Sequence, residues 1–257
     1  DKEQWSKLIP KEKYNLPDWL FKSWVSSYGE KNVEEIVNIA MDPPPIDIIL
    51  SKKMIQKDKQ DLKLKLLGEE IFPNVIRCKH NGPVENIPGY LDGTWWIQDA
   101  ASQIPCNLLL SKLTKFGTKN LNTLKILDLC CAPGGKTAQL LDVNLNVTCI
   151  EKSISRSKIF LENMKRLKFN PELIIVKAED YSPKFKPDVI LIDAPCSATG
   201  TIRKNPDIFL KPAPNSLNDL ILTQDNILKN AAKILNKNGV IMYITCSLQK
   251  IEGERRI

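Results

Sequence analysis

From about residue 124 onward, apolar residues fall in short, nearly continuous runs: "LKILDLC", "NVTCIE", "ELIIVKA", "DVILID" and "GVIMYIT". Runs this short and without alternation suit strands covered on both faces, as in a parallel sheet. The stretches between them carry helical periodicity, which predicts helices over 136–143, 153–168 and 216–237. Gly239, after "NKN", is expected to close the last helix in a left-handed conformation. Strands alternating with helices predict an α/β fold, a doubly wound, Rossmann-like sheet whose ligands bind at the carboxyl ends of the strands.

Upstream the pattern differs. "PDWLFKSWVSSYG" and "KNVEEIVNIAMD" read as two helices, with Pro17 suited to a first turn and Gly29 to a stop. The prolines at 43–45 end them. "PIDIIL", a Lys-rich helical stretch over 52–67 and "NVIRCKH" then suggest a small α+β subdomain, and Trp95 and Trp96 read as the start of a helix. The expected organisation is an N-terminal helical linker over 1–42, an α+β subdomain over 43–94 and the doubly wound domain over 95–257. The opening "DKEQWSKLIPKEKYN" is neither a signal peptide nor a natural start, and the chain stops at "GERRI" soon after an apolar run. A piece of a longer protein, incomplete at its C-terminal end, is therefore expected.

Composition narrows the function classes. The 257 residues, 42% of them hydrophobic, can bury a substantial core. A net charge of +7 points toward nucleic acid or another anionic partner, or else to a Lys-rich solvated exterior. No apolar run approaches the length that spans a bilayer, so no membrane partner is expected. Seven cysteines without a C-x-x-C pair suggest neither a disulfide framework nor a zinc cluster, and fit a reducing cytoplasm. His80 is the only histidine, which removes most triads and dyads that rely on an imidazole. A monomer without bound metal is expected.

The candidate chemistry lies where the apolar runs end. In "LDLCCAPGGKTAQLL", Gly134 and Gly135 follow the first run and open a helix, where free N–H groups and the helix dipole receive polar groups. Two ligand classes compete for this turn. "GGKT" with "VILID" resembles a phosphate-binding loop and its magnesium aspartate, but that loop needs a glycine where Cys130 stands, and Pro133 stiffens the turn. The alternative is an adenosine cofactor with no phosphate chain. Glu151 ends the second run at the place of a residue that accepts from a ribose diol, and Asp180 after the third run can flank the adenine. Asp128 and Asp193 add carboxylates at the same edge, a charge pattern that repels phosphate and suits the sulfonium of S-adenosylmethionine. Two further runs end on cysteines, Cys196 in "DAPCSATG" and Cys246 in "ITCS".

Together, "DLCCAPGGKT", "DAPCSATGTIRKNPD" and "ITCS", in this order and spacing, resemble the motifs of the RsmB, Nop2 and Sun family of RNA cytosine-5 methyltransferases. The likeness runs from Gly93 to Glu254, and "YNLPDWLFKSW" and "PGYLDGTWWIQDAAS" resemble segments preceding that domain in the RsmB branch. The resemblance implies a class I methyltransferase fold, S-adenosylmethionine as methyl donor and RNA, most simply small-subunit ribosomal RNA, as partner. It implies that Cys130, Cys131, Ala132, Pro133, Gly134, Gly135 and Lys136, with Glu151, Asp180 and Asp193, contact the cofactor. It also implies that Cys246 is the nucleophile and Cys196 assists product release, and that a NusB-like domain precedes Asp1. This chain departs from the pattern at Cys131, where alanine is usual, at Lys168, where glycine is common, and at "IEGE", which replaces "EEN"; the family's closing antiparallel hairpin is not expected within these 257 residues.

The implied reaction explains the need for two thiols. Carbon 5 of cytosine is a poor nucleophile, and a thiolate adding to carbon 6 turns the ring into an enamine-like species that can take a methyl group. Release then requires loss of the carbon 5 proton and expulsion of the thiolate. Strand order alone leaves open which cysteine attacks. Asp193 could hydrogen-bond the amino group or protonated ring nitrogen of the base, with Lys136 sharing the electrostatic role. Arg203, Lys204, the lysines of "SKKMIQKDKQDLKLK" and Lys112, Lys115 and Lys119 are candidates to track phosphate or to be a solvated face. Trp95 and Trp96 could stack on bases, with at least one expected in the core. Two alternatives remain: another acceptor, such as transfer RNA or protein, on the same fold, and a catalytically silent RNA-binding module.

Overall fold

The computed structural model describes residues 16–78, 80, 82–115, 121–210 and 215–257. The expectations for the first fifteen residues, for Lys79 and Lys119, and for the Lys115 side chain lie outside the described residues. The chain divides into two compact units. One holds the residues up to Pro44 with Pro195–Asp225 and Thr245–Ile257; the other holds Pro45–Ala194 and Asn226–Ile244.

In the first unit, α1 (Asp18–Tyr28) starts after Pro17, whose carbonyl accepts from the N–H groups of Leu20 and Phe21. Gly29, at φ 82°, ends α1 and leads directly into α2 (Glu30–Ala40). Leu20 and Trp24 of α1 and Val33 of α2 bury one shared face and pack with Ile202 and Ile208.

The second unit begins with an antiparallel sheet. Its strands are β1 (Ile46–Leu50), β2 (Glu69–Phe72), β3 (Val75–Cys78) and β4 (Trp95–Ile97), in the order β2-β3-β1-β4, with α3 (Gln56–Lys65) between β1 and β2. Trp95 and Trp96 therefore lie on a strand paired to β1 rather than in a helix, which begins only at α4 (Ala100–Lys115). Two adjacent aromatics with one neighbour of each face fit a pleated edge as well as a helix start, and pairing to β1 decides it. The β2 strand left no period-two signal because three of its four residues are exposed. The buried Asp47 of β1 takes Arg77 of β3 at 2.7 and 2.9 Å and the Ala100 N–H at 2.9 Å, joining the sheet to the start of α4.

The five apolar runs form the second sheet: β5 (Ile126–Leu129), β6 (Val147–Glu151), β7 (Glu172–Ile175), β8 (Val189–Asp193) and β9 (Val240–Ile244). All pairings are parallel and the order is β7-β6-β5-β8-β9, the doubly wound arrangement expected. Both faces are covered. Ile126, Val147, Cys149, Val189 and Leu191 join one core with side chains of α4, α5 (Gly135–Leu141) and α6 (Ile154–Arg166). Leu127, Leu129, Ile150, Ile190 and Ile192 point to the other, against Ile227, Ala231 and Ile234 of α7 (Asn215–Ile234). Each such aliphatic side chain, fully buried, contributes about 1.5–3 kcal/mol.

Two helix ends refine the sequence reading. Gly239 is not among the residues at positive φ, so it does not act as a left-handed cap; a Cβ there would lie 2.7 Å from Leu235 Cδ1 and 2.9 Å from the Asp188 carbonyl, and close approach is what calls for glycine. A left-handed residue does follow another helix, α6, where Lys168 sits at φ 60°.

Candidate active site

One cluster of candidate residues lies in the unit that contains the parallel sheet. Beyond β5, Cys130 turns the chain at φ 69°, and the N–H groups of Cys130 and Cys131 donate to the Ile150 carbonyl at 2.9 and 3.1 Å. The Ala132–Pro133 peptide is cis, Arg156 donates to the Ala132 carbonyl, and Asn163 Nδ2 donates to that of Pro133 at 3.0 Å. Gly134 caps α5 at φ 109°, where a Cβ would stand 2.7 Å from Met164 Cε. The turn is thus pressed onto α6, and only glycine meets both the backbone angle and the space.

Carboxylates gather at the strand ends around this turn. Asp128 is 1% exposed, accepts from Thr137 Oγ1 at 2.5 Å through Oδ2, and leaves Oδ1 without a partner. Burial, with the Asp193 charge adding to it, pushes its carboxyl up to about 7 against the opposing Thr137 bond. Glu151 is buried at the end of β6; Oε1 accepts from the Ser153 N–H at 2.9 Å, while Oε2 has no hydrogen-bond partner and Arg156 Nε stands 3.8 Å away. Asp193 ends β8 and pairs with Lys136 Nζ at 2.7 Å. Asp180, exposed, closes the short turn Ala178–Asp180 that follows β7.

The second cluster lies in the other unit. Cys196 follows Asp193 by three residues and Cys246 follows the end of β9 by two; their sulfurs are 3.3 Å apart, with Cys246 exposed and Cys196 partly buried. The Cys196 thiol is pushed down to about 6, first by the hydrogen bond from Cys246 and, against desolvation, by the Thr245 hydroxyl and the N–H groups of Ala198 and Cys246. The buried thiols behave in the opposite way: burial pushes Cys106 and Cys130 up to about 12, and a hydrogen bond with Cys149 together with burial raises Cys131. The surroundings of Cys196 thus favour its thiolate.

The cysteine turns are fastened by groups that the sequence did not single out. Gly200 N donates to the Cys246 carbonyl at 2.8 Å, and a Cβ on Gly200 would come within 2.6 Å of that oxygen. Thr199 Oγ1 accepts from the Leu248 N–H at 2.9 Å. Glu252, fully buried, receives bonds from Ser197, Ser247 and Gln224. Nothing in "QKIEGERR" marks that glutamate as buried.

Residues 118–257 match the family model described as 16S rRNA methyltransferase RsmB/F. The chain belongs to this RsmB/F methyltransferase family. It is 31% identical over 255 residues to a ribosomal RNA small subunit methyltransferase B of Klebsiella pneumoniae (strain 342), covering 95% of this chain and 57% of that protein. A protein of the same name from Xylella fastidiosa (strain Temecula1 / ATCC 700964) is 28% identical over 251 residues, covering 94% and 56%. The chain therefore spans little more than half the length of the curated relatives it matches. Two solved structures share the fold. NSun6 from Pyrococcus horikoshii with SFG superposes with a TM-score of 0.78 at 18% identity, covering 93% of this chain and 85% of that one. A methyltransferase homolog protein from Pyrococcus horikoshii gives 0.73 at 22% identity, covering 91% and 75%.

S-adenosylmethionine is the cofactor of such methyltransferases, and the first cluster fits it. Gly134 and Gly135 open a helix with no side chain in the way, and the orphaned oxygens of Asp128 and Glu151 are buried acceptors that lack a donor. A ribose diol and a cationic methionyl group supply donors and positive charge of the kind these atoms lack.

Several RNA-contact candidates of the RsmB/F chain are engaged elsewhere. Trp95 is fully buried with Nε1 bonded to the Pro88 carbonyl at 2.9 Å, and Trp96, 4% exposed, bonds Gln98 Oε1 at 2.9 Å, so both belong to the core rather than to a stacking surface. Arg203 donates to the Asp42 and Pro43 carbonyls, each at 3.2 Å. Lys59 bonds Asn74 Oδ1 at 2.6 Å, and Lys53 lies over the Phe169 ring. Lys112 and Lys204 are exposed. His80 places Nε2 3.0 Å from the Pro83 carbonyl. Among the described residues, no group of three or more His, Cys, Asp or Glu is placed to hold a metal ion, and no helix is long and apolar enough to cross a membrane.

Proposed function

We propose that this chain carries the catalytic machinery of an S-adenosylmethionine-dependent RNA methyltransferase that modifies carbon 5 of a cytosine in small-subunit ribosomal RNA through a covalent cysteine adduct. The observation that carries this reading is the pair of thiols 3.3 Å apart, each placed a few residues after one of two adjacent strands. A covalent route needs one group to add to carbon 6 and another to handle a proton, and two thiols sharing one hydrogen bond meet both needs.

Cys246, the exposed member of the pair, adds to carbon 6, and Cys196, favoured as a thiolate, takes the Cys246 proton as it attacks. S-adenosylmethionine supplies the electrophilic methyl group. Once that proton has passed to solvent, Cys196 is again a thiolate and is placed to help remove the carbon 5 proton, after which Cys246 leaves. Asp193, with one oxygen on Lys136, keeps the other to accept from the amino group or protonated ring nitrogen of the base, and Lys136 holds that carboxylate in place. Glu151 accepts from the ribose diol, and Asp180 flanks the adenine.

A second reading exchanges the thiols. The low position of Cys196 would itself suit a nucleophile, with Cys246 as the proton handler. Exposure favours Cys246, because the attacked ring must be unstacked and must reach sulfur.

Bisulfite sequencing of small-subunit ribosomal RNA from cells with and without the full-length gene tests the substrate. Loss of protection at a single cytosine is expected. Protection lost only in transfer RNA would move the acceptor, and no change in any RNA would remove the methyltransferase reading.

A further inference from the structure

We propose that Glu252 is a positioning residue that locks the two cysteine turns together through Ser197 and Ser247, and so sets the separation of the two thiols. Each serine directly follows one of the cysteines. Glu252 Oε2 accepts from Ser197 Oγ and Ser247 Oγ, both at 2.5 Å, and Oε1 accepts from the Ser197 N–H at 2.9 Å and Gln224 Nε2 at 3.0 Å. One carboxylate thus gathers four donors from two cysteine turns and from α7.

The residue type follows from the geometry. Glu252 is fully buried, and an ionised carboxylate in such a place is costly unless its lone pairs are met by donors. Four donors meet them, and an amide or a hydroxyl there could not accept all four. The hydroxyls are in turn organised by the carboxylate. With their protons directed at Oε2, the oxygens stay available as acceptors, and Ser247 Oγ takes the Gln249 N–H at 2.9 Å. Gln224, fully buried, also donates to the Pro195 carbonyl at 2.9 Å, which fixes the residue before Cys196 from the helix side. The Cys196 turn is itself unusual, since Ala198 sits at φ 56° and needs its surroundings to hold it. Without the carboxylate, the turns keep the Gly200 bond to the Cys246 carbonyl and the hydroxyl contacts of Ser247 with Ser197 at 3.0 Å and Thr199 at 3.1 Å, but lose the buried acceptor that orients both serine hydroxyls.

The inference rests on the proposed methyltransferase reading for what the thiols do, and its test does not use RNA. In Glu252→Gln, and separately in the Ser197→Ala, Ser247→Ala double variant, disulfide formation between Cys196 and Cys246 is driven with diamide, which takes up two protons and two electrons from the thiols and is reduced to the hydrazine as the S–S bond forms. The rate is read by intact mass and peptide mapping. The pH profile of Cys196 alkylation by iodoacetamide is read in parallel, with melting temperature and S-adenosylmethionine affinity reporting on the fold. Both variants are expected to cross-link at least about tenfold more slowly than the unaltered chain, because rates between positioned groups fall steeply with small displacements. The inflection of Cys196 alkylation is expected to move upward. A folded Glu252→Gln variant with unaltered cross-linking and pH profile overturns the proposal. If that variant does not fold, the double variant decides, and failure of both to fold assigns the network to stability alone and also overturns it. Altered cross-linking with no RNA methylation by any form, the unaltered chain included, would sustain Glu252 as the positioning residue and remove the methyltransferase reading instead.

Discussion

The sulfurs of Cys196 and Cys246 stand 3.3 Å apart, although 50 residues of chain separate them. At that distance neither thiol titrates or reacts alone, and their roles separate only in variants. Cys246→Ala is expected to abolish both the covalent RNA adduct and the methylated product. Cys196→Ala is expected to form adduct that persists on a denaturing gel, because the step that releases the product is impaired. Adduct from the Cys246 variant, with none from the Cys196 variant, would exchange the two assignments.

The buried Asp128 sets a pH dependence of stability. Its carboxyl is raised from 3.8 to about 7 by burial, so the folded chain prefers the protonated form. The stability it contributes is present in full below the unfolded value and is lost as pH rises through about 7. In Asp128→Asn, which keeps an acceptor for Thr137, unfolding in urea at pH 4 is expected to resemble that of the unaltered chain. At pH 8 the variant is expected to be relatively more stable, by an amount on the order of kcal/mol. Equal responses of the two to pH would show that Asp128 stays ionised in the fold.

Lys168 occupies the left-handed conformation at φ 60° after α6, a position that costs a side chain about 1–2 kcal/mol. Lys168→Gly is expected to raise stability by up to about 1 kcal/mol, the gain being reduced by the greater freedom of glycine in the unfolded chain. Thermal unfolding measures it.

Gly134 faces the opposite constraint. Gly134→Ala places a methyl group 2.7 Å from Met164 Cε at φ 109°. A loss of about 1–3 kcal/mol of stability is expected. Calorimetry should show weaker S-adenosylmethionine binding as the turn is pushed off α6, with unaltered affinity arguing that the turn does not hold the cofactor.

Trp95 separates core from RNA surface. Its complete burial and its bond to the Pro88 carbonyl imply that Trp95→Ala costs about 3–5 kcal/mol of stability. Below its melting temperature, the variant is expected to keep the salt dependence of RNA binding. A selective loss of RNA affinity at unchanged stability would return Trp95 to the stacking surface.

The parallel sheet was legible because strands covered on both faces cannot alternate in polarity, so "KILDL" and "VILID" stand out from their surroundings. Glycines 134 and 135, and the carboxylates at 128, 151 and 193, were legible for the related reason that a doubly wound sheet leaves its carboxyl edge open to ligands. The β2 strand was not, since "EEIF" has one partly buried residue and is recruited by pairing with β3. Glu252 was not either: it lies in a charged tail, and three of its four donors come from residues 28 and 55 positions away in the chain.

By itself, then, the amino-acid order determined which runs become buried strands and which residues stand at their ends, because local periodicity and strand termini are properties of neighbouring residues. Only the tertiary structure decided that Trp95 and Trp96 serve the core, that Gly239 is required by close approach to Leu235 and Asp188 rather than by a left-handed turn, and that one buried carboxylate ties both cysteine turns together. Those outcomes depend on pairings between distant segments, whose partners no local pattern records.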